Sequence, residues 1–335
     1  MHEAIEKRAL IVLDCLGTRI QGTFHRPAGH LSQASAASGS KERPGVLFLN
    51  SLSLPRAASG DSAVHWADSI AERGYPSFRV DLPGLGDSAG AASTDLLDFI
   101  NAGGFAAVAA AVAKELVERY SLSGLVIFGH CAGSVSALYA AAASKECKGL
   151  ILLDTYFHLP QAKRPEVREK LSGWARRSKA GRRLSNIYDR ARDLLLFVRG
   201  STPPGNANTR LLASWKQVAA SGLPILLLRA PGIKAQGSKP RVGQFDYIDH
   251  VVELAGRKSR VSVEFVEGAD HSFANRSGRE AVQQHIETWL GSRFPLGDFK
   301  RAAKTASQLC AGEELTESRK APGAPADLGR VLEVR

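Results

Sequence analysis

Gly124-Leu125-Val126-Ile127-Phe128-Gly129-His130-Cys131-Ala132-Gly133-Ser134-Val135 is the stretch on which the reading of this chain turns. Its first half is a short, unbroken apolar run, as a strand buried on both faces requires. Its second half runs at once into SVSALYAAAAS (134–144), a helical pattern. Between the two, Gly129-His130-Cys131-Ala132-Gly133 has to turn a strand into a helix within a few residues. A nucleophile on such a turn stands on strained backbone above the sheet. Flanking glycines let strand and helix approach, and the helix N-terminus favours developing negative charge. The usual centre of this pattern is serine; here it is cysteine. The strand–turn–helix setting favours a nucleophilic Cys131 over a buried structural thiol.

Working outward, short apolar runs recur at GVLFLN (45–50), SFRVDL (77–82), KGLILLD (148–154), PILLLRA (224–230) and VSVEFVEG (261–268). Helical patterns alternate with them near 61–73, 105–120 and 279–290, and two further β patterns, 9–15 and 18–27, open the chain. This alternation predicts an α/β fold with a mostly parallel central sheet flanked by helices on both faces. A helical block interrupts it once. The expected organisation is therefore a core of residues 1–158 and 221–296, a basic helical lid over 159–220, and a disordered tail over 297–335, whose polar, weakly periodic sequence buries little.

His271 follows the last strand in Gly268-Ala269-Asp270-His271-Ser272-Phe273, just past the edge of the sheet that carries Cys131, and is the natural general base. A carboxylate should orient its ring. Asp246 and Asp249, in GQFDYIDHVVEL between the last two strands, are the candidates. Asp246 is preferred because it sits where the loop feeds the helix, and the competing role for either acid is to favour a helix N-terminus. His130, although next to the nucleophile, is read as a packing residue of the turn.

Composition narrows the classes. The chain has 335 residues, 44% hydrophobic and 23% charged, ordinary for a soluble globular protein. Four cysteines are too few for a disulfide scaffold. No apolar run is long enough for a membrane span, and MHEAIEKRAL lacks a signal-peptide core, so a cytoplasmic location with no stable membrane insertion is expected. Of a net charge of +11, residues 155–220 carry +10, fourteen Lys and Arg against four acids, so the basicity is local. No motif for reading nucleic acid accompanies it. No metal-ligand spacing occurs, and no cofactor is expected. Gly84-Leu85-Gly86-Asp87-Ser88-Ala89 fits a dinucleotide fingerprint, but no strand with an acid follows about 20 residues on.

The turn at Cys131, the run Arg79-Val80-Asp81-Leu82-Pro83-Gly84-Leu85-Gly86-Asp87-Ser88 and the Gly268-Ala269-x-His271 loop together resemble the α/β-hydrolase fold over roughly residues 8–295. More narrowly, Leu49-Asn50-Ser51, the G-x-C-x-G turn and FDY…ADHSFANR resemble bacterial serine-aminopeptidase-like and exosortase-associated hydrolases. The resemblance implies acyl transfer through a Cys131–His271–Asp246 triad and a covalent thioester. The substrate is then a small ester or thioester, and the enzyme a hydrolase or thioesterase. An acyltransferase is the alternative, and a non-catalytic binding protein the rival class. The family's His-Gly after the third strand is Asn50-Ser51 here. By position the oxyanion donors are then the backbone N–H groups of Leu52 or Ser51, paired with Ala132. Ser51 and the lid residues Arg176, Arg177, Arg182 and Arg183 are the candidate substrate contacts, the arginines for coenzyme A or an acyl carrier protein.

Overall fold

The computed structural model describes residues 6–28, 43–159, 205–230 and 247–296. The chain divides into Met1–Phe294 and Pro295–Arg335, and the sheet, its helices and the candidate site all belong to the first unit.

Eight strands form one sheet: β1 (Arg8–Cys15), β2 (Thr18–His25), β3 (Pro44–Leu49), β4 (Ser77–Val80), β5 (Gly124–His130), β6 (Cys147–Leu153), β7 (Ile225–Arg229) and β8 (Val261–Phe265), in the order β1-β2-β4-β3-β5-β6-β7-β8. From β4 to β8 all pairings are parallel; β1–β2 and β2–β4 are antiparallel. The β1–β2 hairpin closes over Leu16 and Gly17, both at positive φ (51° and 74°), the geometry that matches strand twist in a two-residue loop.

Strands β3 and β5 are buried at every residue, which is why they read as continuous apolar runs. Alternate side chains face opposite ways. Leu47, Leu49, Leu125, Ile127, Leu150, Leu152, Ile225 and Leu227 belong to one core, shared with α3 (Ala106–Arg119) and α4 (Ala132–Ala143). Phe48 and Phe128 face the other side, where Phe128 meets Trp66 of α1 (Ser62–Glu72) at 5.5 Å between ring centroids. The Trp66 indole donates to the Arg279 carbonyl (3.0 Å) of the closing helix, Arg276–Arg293, and so ties the two helices of that face together.

Two short helices escape the sequence reading or shift it. Leu96–Asn101 (α2) has only six residues, too few for a periodic signal. Thr209–Ala220 (α5) falls at the end of the segment expected to be lid, yet its Leu211, Trp215 and Val218 are buried in the main core. Its amphipathic face serves the body of the protein. The remaining helices are α6 (Tyr247–Ala255) and α7 (Arg276–Arg293). The rest of the lid segment, 160–204, with Arg176, Arg177, Arg182 and Arg183, lies outside the described residues, as do Asp246 and 297–335. Among the described residues no helix is long and apolar enough to cross a membrane.

Candidate active site

The parallel strands end along one edge, and the site is built from the residues just past the end of each strand. After β5, Cys131 stands at φ 51°, ψ −118°, in the left-handed half of backbone space where a side chain is strained. Its environment holds it there. The Cys131 N–H donates to the Leu153 carbonyl at 2.9 Å, and its own carbonyl accepts from Ser134 N–H at 3.0 Å and from the Ser134 hydroxyl. Gly129 is required because a Cβ would collide with the backbone of Gly133 and Ser134.

After β6 comes Asp154, also at positive φ (50°), with its N–H bonded to the Leu228 carbonyl of β7 at 2.7 Å. Asp154 Oδ2 is hydrogen-bonded to His271 Nδ1, and its other oxygen, Oδ1, is 3.5 Å from the Arg229 Nε at the end of β7. The expected acid Asp246 lies outside the described residues, and the ring nitrogen it was expected to hold is occupied by Asp154. Asp249 is an exposed residue in the first turn of α6.

After β8, His271 sits in a loop folded around Asp270, whose Oδ1 accepts from Ser272 N–H (2.9 Å), Ser272 Oγ (2.6 Å) and Phe273 N–H (3.0 Å). With Nδ1 on Asp154, the ring's other nitrogen is left for Cys131. Asp154 first, and then the neighbouring Cys131, push the imidazole up to about 10. His130 does more than pack. Its Nε2–H donates to the His271 carbonyl at 2.8 Å, and burial pushes it down to about 4, so it stays a neutral donor. Its ring also meets Phe273 edge-on at 5.5 Å.

The candidate oxyanion donors follow β5 and its neighbouring parallel strand β3. Ala132 is the first residue of α4, where an N–H has no acceptor within the helix. Leu52, at φ 47°, lies inside a turn closed by Leu54 N–H to the Ser51 carbonyl at 2.9 Å; Ser51 itself is buried. Neither Leu52 nor Ala132 spends its N–H on an acceptor among the described residues. The loop is pinned from both ends. Asn50 donates Nδ2 to the Leu54 carbonyl (3.2 Å) and accepts the Leu82 N–H on Oδ1 (3.3 Å). Arg56 donates its backbone N–H (2.7 Å) and Nη1 (2.5 Å) to the fully buried Asp81, Nη1 also to Asp87 (2.7 Å), and Nε to Thr23 (3.1 Å). The glycine-rich run 84–89 is thus a loop wrapped on Asp81; at Gly86, φ 51°, a Cβ would overlap that carboxylate. No dinucleotide-binding helix opens there.

Sequence reasoning placed Cys131, His271, Ala132 and Leu52, and these meet at one edge. It missed Asp154, Arg229 and Arg56, and it named Asn50 only as standing where the family has histidine. For Asp154 a signal was present: it ends an apolar run beside the nucleophile's strand, the same kind of position that marked His271. Among the described residues no cluster of His, Cys, Asp or Glu could hold a metal ion.

Residues 46–189 match the family described as alpha/beta hydrolase fold. No curated protein matches the chain in sequence. Among solved structures, the chain is similar to DcsB, solved with a substrate analogue (15% identity, 85% of this chain and 99% of that one, TM-score 0.53). It is also similar to the esterase Pf2001 of Pyrococcus furiosus (13% identity, 86% and 93%, TM-score 0.53). A third is the α/β hydrolase GrgF of Penicillium sp. sh18 (14% identity, 86% and 99%, TM-score 0.51). At these identities the likeness speaks for the fold. With the family match running from β3 past β6 and these likenesses along most of the chain, the chain has the α/β-hydrolase fold.

Proposed function

We propose that the protein is a hydrolase that transfers acyl groups through Cys131, acting on a small ester or thioester, with His271 as acid–base and Asp154 as the orienting acid. The observation that carries this reading is the position of Cys131, at positive φ on the turn into α4, together with a histidine whose Nδ1 is held by a carboxylate.

Those contacts dictate the chemistry. Asp154 favours the protonated ring, so His271 takes the thiol proton and the sulfur attacks as thiolate. Attack on the carbonyl carbon forms the S–C bond and moves the π electrons onto oxygen. The N–H groups of Ala132 and Leu52 accept that charge, the first at a helix N-terminus. Collapse expels the alcohol or thiol, which takes the proton from His271, and leaves a thioester on Cys131. His271 then deprotonates water, which attacks the thioester and regenerates the thiol. Asp154 keeps the ring turned and balances the imidazolium, while Arg229 holds the other carboxylate oxygen.

The test is intact mass after brief exposure to activated acyl esters and thioesters. An acyl increment on the wild type, absent from Cys131→Ala, is the expected result. Turnover by Cys131→Ala at a rate close to wild type would sink the mechanism.

A second reading concerns the acceptor and the acyl carrier. The charge of +10 within residues 155–220 favours an anionic carrier, coenzyme A or an acidic carrier protein, from which the acyl group passes to water or to another nucleophile. Replacing Arg176, Arg177, Arg182 and Arg183 by Gln should lower kcat/KM for a coenzyme A thioester and not for a neutral ester, most clearly at low salt. An equal response of both substrates would leave the basic segment a solvated surface.

A further inference from the structure

The segment after Asp154 carries polar groups that acyl transfer does not use. Among the described residues, the Tyr156 hydroxyl and the Thr155 hydroxyl are buried and make no hydrogen bond, and the same is true of both polar atoms of the Asn101 side chain, in a residue only 4% exposed. Buried polar atoms without partners are costly and uncommon, and a ligand is one thing that satisfies them; Thr155 and Tyr156 directly follow Asp154, which holds His271.

They are also held in place by other means. Tyr156 is flanked by anchored neighbours. The Phe157 carbonyl accepts from Asn208 N–H at 2.9 Å, and the His158 segment pairs with Ala207. The His158 ring meets that of Tyr156 at 5.7 Å. The Asn208 side chain donates to the Asn101 carbonyl at 2.9 Å, and the Tyr139 hydroxyl donates to the same carbonyl at 2.8 Å. The backbone of Asn101 is thereby fixed while its amide is left over. Burial first, then the nearby Cys131 and Tyr139, push the Tyr156 phenol up to about 12. It is a neutral donor at any working pH, close enough to the sulfur to feel its charge.

We propose that Tyr156, with the amide of Asn101, whose backbone carbonyl Tyr139 holds, forms a polar subsite that hydrogen-bonds a hydroxyl or carbonyl group carried by the substrate near its reacting carbonyl. This rests on the acyl-transfer reading and narrows it: the preferred substrates are hydroxy- or oxo-substituted acyl compounds, and plain hydrocarbon chains are disfavoured. The physical reason is asymmetric. A plain chain buries these donors and acceptors and leaves them unpaired, whereas a matched hydroxyl satisfies them.

The experiment compares aryl butanoate with its 2-, 3- and 4-hydroxy derivatives. The wild type should prefer at least one hydroxy ester by about tenfold in kcat/KM, and Tyr156→Phe should bring that ratio close to one. Asn101→Ala keeps the carbonyl that Tyr139 and Asn208 use, and should reduce the ratio in the same direction; it carries the test if Tyr156→Phe does not fold. No preference in the wild type, or a preference that survives both substitutions, overturns the proposal. The same ratio is read as Kd in Cys131→Ala protein with and without Tyr156→Phe. A Tyr156-dependent ratio in Kd without turnover supports the subsite and overturns acyl transfer. Turnover through Cys131 without a ratio does the reverse.

Discussion

Cys131 and Asp154 are next-door neighbours across the sheet, because the Cys131 N–H bonds to the carbonyl of Leu153, the residue immediately before Asp154. The proposed nucleophile and acid are therefore set by a single rung of the β5–β6 ladder, and His271 reaches Asp154 from the loop after β8.

The first prediction tests that pairing. Asp154→Asn should lower kcat/KM by roughly 10²-fold or more, because it stops holding the imidazole in its tautomer and loses the charge opposite the imidazolium. Asp246→Asn and Asp249→Asn should each cost far less. A larger loss from Asp246→Asn would return the acid's role to that residue.

A second prediction concerns alkaline pH. His271 is raised from 6.5 to about 10, by Asp154 first and Cys131 second. The protonated ring, and the activity that needs it as a proton donor, should persist well above pH 8 and fall through about pH 10. The stability from this group is complete below the unfolded value of 6.5 and is lost as pH rises through about 10. Removing the larger cause with Asp154→Asn should draw the alkaline limb of kcat/KM toward neutral pH. A limb that does not move would separate His271 from that limb.

The acid side has a different origin. His130 and His25 are both pushed by burial from 6.5 to about 4, so the folded protein resists protonating them while the unfolded chain does not. Their favourable contribution is present above 6.5 and is lost as pH falls toward about 4. His130→Phe should flatten the fall of Tm between pH 6.5 and 4, yet lower kcat because the His271 carbonyl loses its donor. Unchanged kcat would reduce His130 to a packing residue.

The oxyanion loop supplies the fourth. Arg56→Lys cannot hold Thr23 through a second nitrogen while one nitrogen bridges Asp81 and Asp87, so the loop carrying Leu52 should loosen. The expected result is a drop in kcat of about tenfold, with KM little affected. Asp81→Ala leaves Arg56 facing a buried gap and should destabilise the protein by about 3–5 kcal/mol, read from denaturant unfolding. If KM alone changes in Arg56→Lys, the loop serves binding and not the oxyanion.

Much of this architecture is legible in the chain because its determinants are local. Apolar runs such as GVLFLN and GLVIFG mark buried parallel strands, and the sharp turn at Gly129–Gly133 needs only its own residues to be recognised. What escapes is set by lateral order. β6 and β7 end side by side at the same edge, so an acid after either one lies near the histidine loop, and the chain does not say which. Arg56 and Asp81 meet from positions 25 residues apart, with no periodicity linking them. The segment 205–220 is basic-flanked and helical, which suits a lid on paper, yet Trp215 and Leu211 are fully buried in the core.

The spread of the site along the sheet bears on how the molecule opens. Thr23 on β2 steadies Arg56, Asn50 follows β3, Asp81 follows β4, Cys131 follows β5, Asp154 follows β6, Arg229 ends β7 and His271 follows β8. No cooperative unit smaller than the sheet contains the whole site, so partial fraying at either edge removes a necessary part. Loss of turnover on heating should then precede loss of the central strands' amide protection, and slow exchange at β3 and β5 should outlast activity.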